Sequence, residues 1–509
     1  MKIKTLSLTD FRAFPGPAPA IFELDGKNLL VYGENGSGKS SLFHALRGMF
    51  SHDKPPNLLD LRNSFSSAGI GCVQVQVEFD DGSAADWKVG ISATPAHTPS
   101  WVPKREGPFA VSLHPGHDTP VNAQVKDAAK FSAMLDYRSL LATNYKHGDG
   151  SINIFDLAVN GFLSSYVDLA TNQTLGQLWA AVLASKPSRN TFNAKLLCAS
   201  RCIAFNNALN TALGRLTIEA RAILAALSPN GLTLVALPFQ NVSFNNAKAW
   251  ADKGFTNQAI GLEVAFRGLP VETPQNYLNE ARLSALGLAL YLGARLACTP
   301  QTTQHLKLLV LDDVLVGLDH SNRLPVLNVL KDHFSDWQVV LLTHDRGWFD
   351  LARQHLHSGW TCYEVYEGDS AAAAPMPVVR RTATKPALAL LQKARELLVL
   401  GYVEAAANYV RQAFETGLRA ACELKNIKLA YKQDLTDHKA QELLTGLKAW
   451  PGTATNPKAG WDAALHQLEL MKDVVMNPYS HPSAPNIPRQ EVVNAADAVE
   501  LFLTLTRKK

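Results

Sequence analysis

Residues 29–50 read LLVYGENGSGKSSLFHALRGMF: an apolar run, a glycine-rich turn and an amphipathic stretch in immediate succession. Leu29 to Tyr32 has the apolarity of a buried strand, and KSSLFHALRGMF has the periodicity of a helix that buries one face. Between them, Gly33 to Ser40 fits the spacing G-x-x-x-x-G-K-[ST]. Gly36 and Gly38 let the backbone turn its N–H groups inward, at a helix N-terminus that already favours anions. Lys39 would then reach the outer phosphates of a nucleotide, and the Ser40 hydroxyl would ligate Mg²⁺. The plainer alternative is a glycine-rich turn with a surface lysine.

A loop of this kind calls for a second strand that ends in an acid, and LLVLDD supplies one. Asp312 would hold the magnesium shell and Asp313 would orient the attacking water. Acids that merely cap the next turn are the competing reading, but it leaves Lys39 without a carboxylate. The next apolar run, VVLLTHD, puts His344 where a side chain would touch the γ-phosphate, one βα unit after the acid pair. Both runs are bounded by polar residues, as buried parallel strands are.

The order of these motifs resembles the RecF/SMC-type branch of the ABC ATPases. The opening KIKTLSLTDFRAF, followed by GENGSGKSSL, is similar to that branch's N-terminus, where the position of Arg12 approaches the nucleotide. The resemblance implies that Gly33, Asn35, Gly36, Ser37, Gly38, Lys39, Ser40 and Ser41 form the Walker A site for ATP. It implies Ser40 and Asp312 as Mg²⁺ ligands, with Asp313 and His344 as the catalytic groups. LDDVLVGLD is similar to a Walker B motif plus D-loop, the latter being Gly317, Leu318 and Asp319. LNEARLSALGLAL is similar to the signature helix, with Asn279, Glu280 and Ala281 in place of Ser-Gly-Gly. A second departure is Asp313, one methylene shorter than the usual glutamate. In this family the signature helix of one subunit completes the ATP site of another, so a homodimer or higher oligomer through the heads is implied.

The whole chain has 509 residues, which at roughly 150 per domain suggests about three domains. Hydrophobic residues make up 47% and charged residues 18%, which excludes general disorder. The formal charge of +4 neither demands nor excludes a nucleic-acid partner. Six cysteines in this length exclude a disulfide scaffold, and the pair Cys198 and Cys202 has no second pair at zinc spacing. No signal core opens the chain and no run of ~18 uncharged apolar residues occurs, so a soluble cytoplasmic protein without a membrane partner is expected.

The expected fold is α/β: an ABC-type P-loop NTPase head, split by a short helical insert and followed by an all-α bundle. Residues 1–151 form the N-terminal lobe of the head, 152–228 the insert, and 229–370 the C-terminal lobe with signature, Walker B, D-loop and His switch. Residues 371–386 read as a linker by composition and 387–509 as the helical domain. The insert lacks heptads; two antiparallel helices of ~30 residues would make an arm of only about 45 Å. Such a stubby arm suits an ATP-gated sensor better than long-range tethering of DNA.

In the C-terminal part, Pro386 opens a helix closed by Gly401, and further helices follow through Phe414, Leu465 and a last one from about Arg489. Between the last two stands NPYSHPSAPNIP, a proline-stiffened loop. ARELLVLGYVEAAANYVRQAFETGLRAACE resembles the first helices of HEPN domains, many of which are metal-independent RNases, and of anticodon-nuclease modules that end some defence ATPases. Carried over residue by residue, the effector candidates are Arg411, Glu415, Asn477 and His481, with Met476 standing where an arginine is usual. A near-neutral histidine would move the 2′-OH or leaving-group proton while an arginine stabilises the phosphorane. A helix-surface ion pair of Arg411 with Glu415 is the plainer reading. Glu367-Gly368-Asp369 after a strand suggests a TOPRIM nuclease, which the helical downstream chain and the lack of a D-x-D disfavour. The resemblances together imply an ATPase of bacterial antiphage defence that controls an effector, its own or a separate protein. Partner proteins, tRNA and DNA all remain open at this stage, as do two rivals. One is a regulatory subunit holding a nuclease or reverse-transcriptase partner; the other is a RecF-like DNA-repair ATPase.

Overall fold

The three apolar runs LLVY, LLVL and VVLLT, far apart in the chain, lie side by side in one sheet. The structure, a computed structural model, describes residues 1–50, 57–66, 71–91, 125, 128–129, 132–136, 152–187, 191–227, 231–245, 253–299, 305–315, 317–318, 320–356, 359–369, 372, 374–382, 386–429, 439–452, 458–476 and 488–506. The chain divides into two compact units, Met1–Arg381 and Thr382–Lys509.

The strands of the first unit are β1 (Ile3–Thr9), β2 (Ala20–Glu23), β3 (Asn28–Gly33), β4 (Gly71–Phe79), β5 (Ala84–Ile91), β6 (Ala133–Asp136), β7 (Leu232–Ala236), β8 (Glu263–Phe266), β9 (Leu269–Val271), β10 (Leu308–Asp312), β11 (Gln338–Thr343), β12 (Trp360–Tyr366) and β13 (Val378–Arg381), with shorter bridges between. Its main helices are α1 (Lys39–Phe50), α2 (Leu175–Ala184), α3 (Phe192–Leu227), α4 (Glu280–Cys298), α5 (His320–His333) and α6 (Arg346–His355). A six-stranded sheet has the order β13-β12-β3-β11-β10-β6. All its pairings are parallel except that of the edge strand β13. Every residue of β10 and β11 is buried, as expected of strands covered on both faces.

Alternation along these strands feeds two cores. Leu30, Leu309, Leu311 and Leu341 face a core shared with α3, α4, α5 and α6. Leu29, Val31, Leu308, Val310, Val340 and Leu342 face the opposite core, which α1 shares with a four-stranded sheet of order β2-β1-β4-β5. The fully buried Gln338 ties the edges together. Its Oε1 accepts from the Ile3 N–H at 2.6 Å, and its Nε2 donates to the carbonyls of Ile3 and Lys27 at 2.8 and 2.7 Å.

Three segments differ from the sequence reading. Residues 152–228 do not build two antiparallel helices of similar length. Thr174 starts α2 with a capping box, and α2 ends ten residues later, shortly before Pro187. α3 then runs for 36 residues. From Cys198 to Leu227 one face of α3 is buried in the core with α4, so that stretch is packed down rather than projecting. Second, the stretch read as linker contains β13, which pairs antiparallel with β12 from Tyr363↔Arg381 to Tyr366↔Val378. Third, β6 passed unnoticed in the sequence because its four residues, AMLD, are too few to show a period.

The described part of Thr382–Lys509 is helical: α7 (Pro386–Val399), α8 (Val403–Leu424), α9 (Ala440–Ala449), α10 (Lys458–Met471) and α11 (Arg489–Thr506), with a π turn over Lys472–Met476. Leu391, Phe414, Leu444, Trp461, Leu465 and Phe502 draw one buried side chain or more from each helix into a single core. The Lys425 ammonium lies 4.8 Å from the ring centre of Trp450 and 5.7 Å from that of Trp461. α9 is the helix that the sequence reading lacked.

Among the described residues, α4 is the one helix long and apolar enough to cross a membrane, and it is mostly buried inside the first unit. All six cysteines are free.

Where α4 crosses α3, Gly293 leaves no room for a side chain. A Cβ there would come 2.7 Å from the backbone nitrogen of Ala220 and 2.9 Å from its Cα. Gly293→Leu is therefore expected to cost about 3 kcal/mol of stability, because backbone rather than a movable side chain must yield. Gly460→Ala, on α10 with open space around it, is expected to stabilise by about 0.5–1 kcal/mol. Urea unfolding followed by circular dichroism measures both.

Candidate functional site

The glycine-rich turn leaves the C-terminal end of β3 and enters α1 at Lys39. Gly36 and Gly38 take φ values of +89° and +96°, where a side chain would be strained. A Cβ on Gly38 would also come 2.7 Å from the Ala13 Cβ, and one on Gly33 would come 2.5 Å from the Ser37 Oγ. The loop is closed by bonds from the Ser37 N–H to the Glu34 carbonyl at 3.1 Å and from the Ser41 N–H to the Gly38 carbonyl at 2.9 Å. Ser37 Oγ is buried and has no hydrogen-bond partner.

Lys39 is only 5% exposed, and its ammonium lies 2.6 Å from Asp313 Oδ2. The other oxygen of Asp313 accepts from the His344 backbone N–H at 3.0 Å and meets its ring Nδ1 at 3.0 Å. Asp313 reaches this position by adopting φ +52°, unusual for a residue with a side chain. Its N–H donates to the Leu342 carbonyl at 3.1 Å, which holds the bend against β11.

Asp312 closes β10, 8% exposed. Burial pushes its carboxyl up to about 6; the Lys39 charge and a hydrogen bond from Ser40 oppose this, while Asp313 and Asp136 reinforce it. Its Oδ1 is buried without a partner. A carboxylate penalised by burial, with an orphaned oxygen and a serine hydroxyl beside it, fits a small hard cation such as Mg²⁺.

A cavity of about 480 Å³ opens in front of Lys39, Ser40 and Asp313; Asp312 and His344 are not among its lining residues. Of the sequence candidates, Arg12, Asn35, Gly36, Gly38, Lys39, Ser40, Ser41 and Asp313 line it. Gly33 and Ser37 lie beneath the loop, and His344 stands behind Asp313. Arg12 adopts φ +51°, and its N–H donates to the Leu61 carbonyl at 2.7 Å. Its Nε is buried and unpartnered, and burial lowers the guanidinium from its ordinary value. Asn279 lies outside the cavity as the N-cap of α4, its Oδ1 accepting from the Arg282 N–H at 3.1 Å. Asp319, Asn477 and His481 fall outside the described residues. Arg411 and Glu415 pair at 2.9 Å on α8, in the second unit.

Sequence reasoning missed the wall facing the phosphate loop: Asp60, Leu61, Arg62 and Ser64 also line the cavity. Arg62 Nε donates to Asp10 Oδ2 at 2.7 Å, and Asn63 Nδ2 to the Arg12 carbonyl at 2.6 Å. Asp136 was missed as well; it lies in register with Asp312 on the neighbouring strand β6. No periodic or motif signal marks these residues, since their roles come from pairing between distant segments.

Residues 5–97, which include the phosphate loop and α1, match the protein family described as an AAA domain. No curated protein is a significant sequence match to this chain. Among solved structures, the recombination mediator RecF bound to ATP matches at TM-score 0.41 and 13% identity, over 75% of this chain and 98% of that one. An Smc head bound to the C-terminal winged-helix domain of ScpA matches at TM-score 0.38 and 13% identity, over 76% and 100%. The SMC head domain from Thermotoga maritima matches at TM-score 0.35 and 15% identity, over 75% and 100%.

Proposed function

We propose that the chain binds and hydrolyses ATP with Mg²⁺ in the cavity in front of the phosphate loop. The observation that carries this reading is the cluster of Lys39, Asp313 and His344, with Asp312 and Ser40 beside it, at one end of adjacent parallel strands. The AAA domain match over residues 5–97 supports it. The N-terminus of α1 and the Lys39 ammonium supply positive charge to phosphate oxygens. Lys39 has three N–H donors, so it can serve Asp313 and a phosphate together. Ser40 and Asp312 would hold Mg²⁺, which when bound neutralises charge on the phosphates. The Asp313 carboxylate accepts a hydrogen bond from the attacking water and orients it, while His344 holds the other oxygen of that carboxylate. Arg12 offers a second cation from the facing wall.

In this reading ATP draws two heads together, each α4 N-terminus completing the partner's site, and the nucleotide state controls an effector in bacterial antiphage defence. We read the unit Thr382–Lys509 as the docking part of that control rather than as an RNase. Met476 stands where the resembled nucleases carry arginine, and Arg411 is engaged with Glu415.

Lys39→Ala is expected to abolish binding of a fluorescent ATP analogue, whereas Asp313→Ala should keep binding and lose about 100-fold or more in hydrolysis. Wild-type turnover in purified Lys39→Ala would refute the site. With ATP, Asp313→Ala should shift from monomer to dimer in light scattering, and Asn279→Trp should weaken that shift. A monomer under every nucleotide condition would remove the paired-head reading. ATP-loaded protein incubated with total tRNA and chelator should leave the tRNA intact, and Arg411→Ala should leave cellular protection unchanged. Metal-independent cleavage that Arg411→Ala removes would make the second unit a nuclease.

A further inference from the structure

One partly buried cation ties the turn that carries His344 to the segment following the acid pair. Arg323, on α5, donates from Nε to the Leu318 carbonyl at 2.9 Å and from Nη1 to Asp345 Oδ2. Its side chain is 13% exposed. Asp345 caps α6: its Oδ1 accepts from the Trp348 N–H at 2.9 Å, and its own N–H donates to Thr343 Oγ1 at 3.1 Å. His344 is held between Thr343 and Asp345, so the direction in which it meets Asp313 depends on where Asp345 is fixed. On the other side, the Leu318 N–H donates to the Leu315 carbonyl at 3.0 Å. Gly317 lies so close to α4 that a Cβ there would come 2.4 Å from Ser284 Oγ. That hydroxyl is buried without a hydrogen-bond partner. A continuous line of contacts therefore runs from Ser284 on α4 through residues 317–318 and Arg323 to Asp345, His344 and Asp313.

We propose that Arg323 is a positioning residue that sets the orientation of His344 according to the placement of residues 317–318. The inference rests on the reading of Asp313 and His344 as groups acting on a nucleotide phosphate. A guanidinium is a rigid fork, so its two bonds fix the separation of the Leu318 carbonyl and the Asp345 carboxylate. A shift of α4 that moves Gly317 is thereby passed to the catalytic turn instead of being absorbed by the loop. Arg323 touches none of the cavity-lining groups, so its loss should spare binding and impair chemistry.

The test compares wild type, Arg323→Ala, Arg323→Lys and the double variant Arg323→Ala/Asp345→Asn. For Arg323→Ala, kcat for ATP should fall about 10- to 100-fold while KM changes less than about threefold. Arg323→Lys, which can keep one of the two bonds, should fall between. In the Asp345→Asn background, Arg323→Ala should cost less than about twofold more, because its effect passes through Asp345. Amide hydrogen exchange without nucleotide should rise over residues 344–349 in Arg323→Ala. An unchanged kcat in a folded Arg323→Ala protein, or unchanged exchange over 344–349, overturns the proposal. A wild type that hydrolyses no ATP defeats the ATPase reading instead, and the exchange measurement then decides the Arg323 link alone.

Discussion

A lysine side chain that is only 5% exposed needs a partner for its ammonium, and in this protein the requirement organises the site. Asp313 supplies that partner at 2.6 Å, so the Lys39–Asp313 contact is a folding constraint as well as a part of the candidate site. Its geometry forces Asp313 into the left-handed region and leaves its second oxygen for His344. The three residues come from the ends of three elements that are neighbours only because the sheet runs β3-β11-β10. The order of the sheet and the chemistry of the site are one constraint seen from two sides.

Much of this was legible in the residues. Gly36, Gly38, Lys39 and Ser40 stand at a spacing that backbone geometry dictates locally, and β10 and β11 are fully buried strands whose apolar runs need no context. Asp312, Asp313 and His344 follow those runs directly. What escaped the reading depends on segments far apart in the chain. Arg62 matters because Asp10, 52 residues earlier, holds it. Asp136 matters because β6 pairs with β10, and four residues carry no period of their own. α3 was read as one leg of an arm because nothing in its sequence says that Gly293 of α4 will accept Ala220 at backbone distance. Asn279, which the resemblance assigns to the partner's site, caps α4 in its own chain.

The two walls of the cavity differ in kind. The phosphate loop is rigid by local bonding, with its own turn hydrogen bonds and the start of α1 to hold it. The facing wall is assembled from two loops, residues 10–14 and 57–66, joined by bonds between Arg12, Leu61, Asn63, Asp10 and Arg62. Arg12 thus depends on neighbours that are themselves positioned by the four-stranded sheet and α1. A change in that half of the unit would reach the cavity from the side opposite Asp313.

The place of β3 in the sheet also governs when the protein can come into being. β3 ends at Gly33, yet its partners β11 and β12 begin at Gln338 and Trp360. On a ribosome adding roughly 5–20 residues each second, the 304 residues between Gly33 and Gln338 take about 15–60 s to emerge. Throughout that interval Leu29, Leu30 and Val31 have no strand to pair with, and Gln338 has not yet arrived to bind Ile3. The nascent chain therefore carries an unpaired apolar edge for most of its synthesis, and chaperones that shield such edges should govern how much active protein a cell obtains.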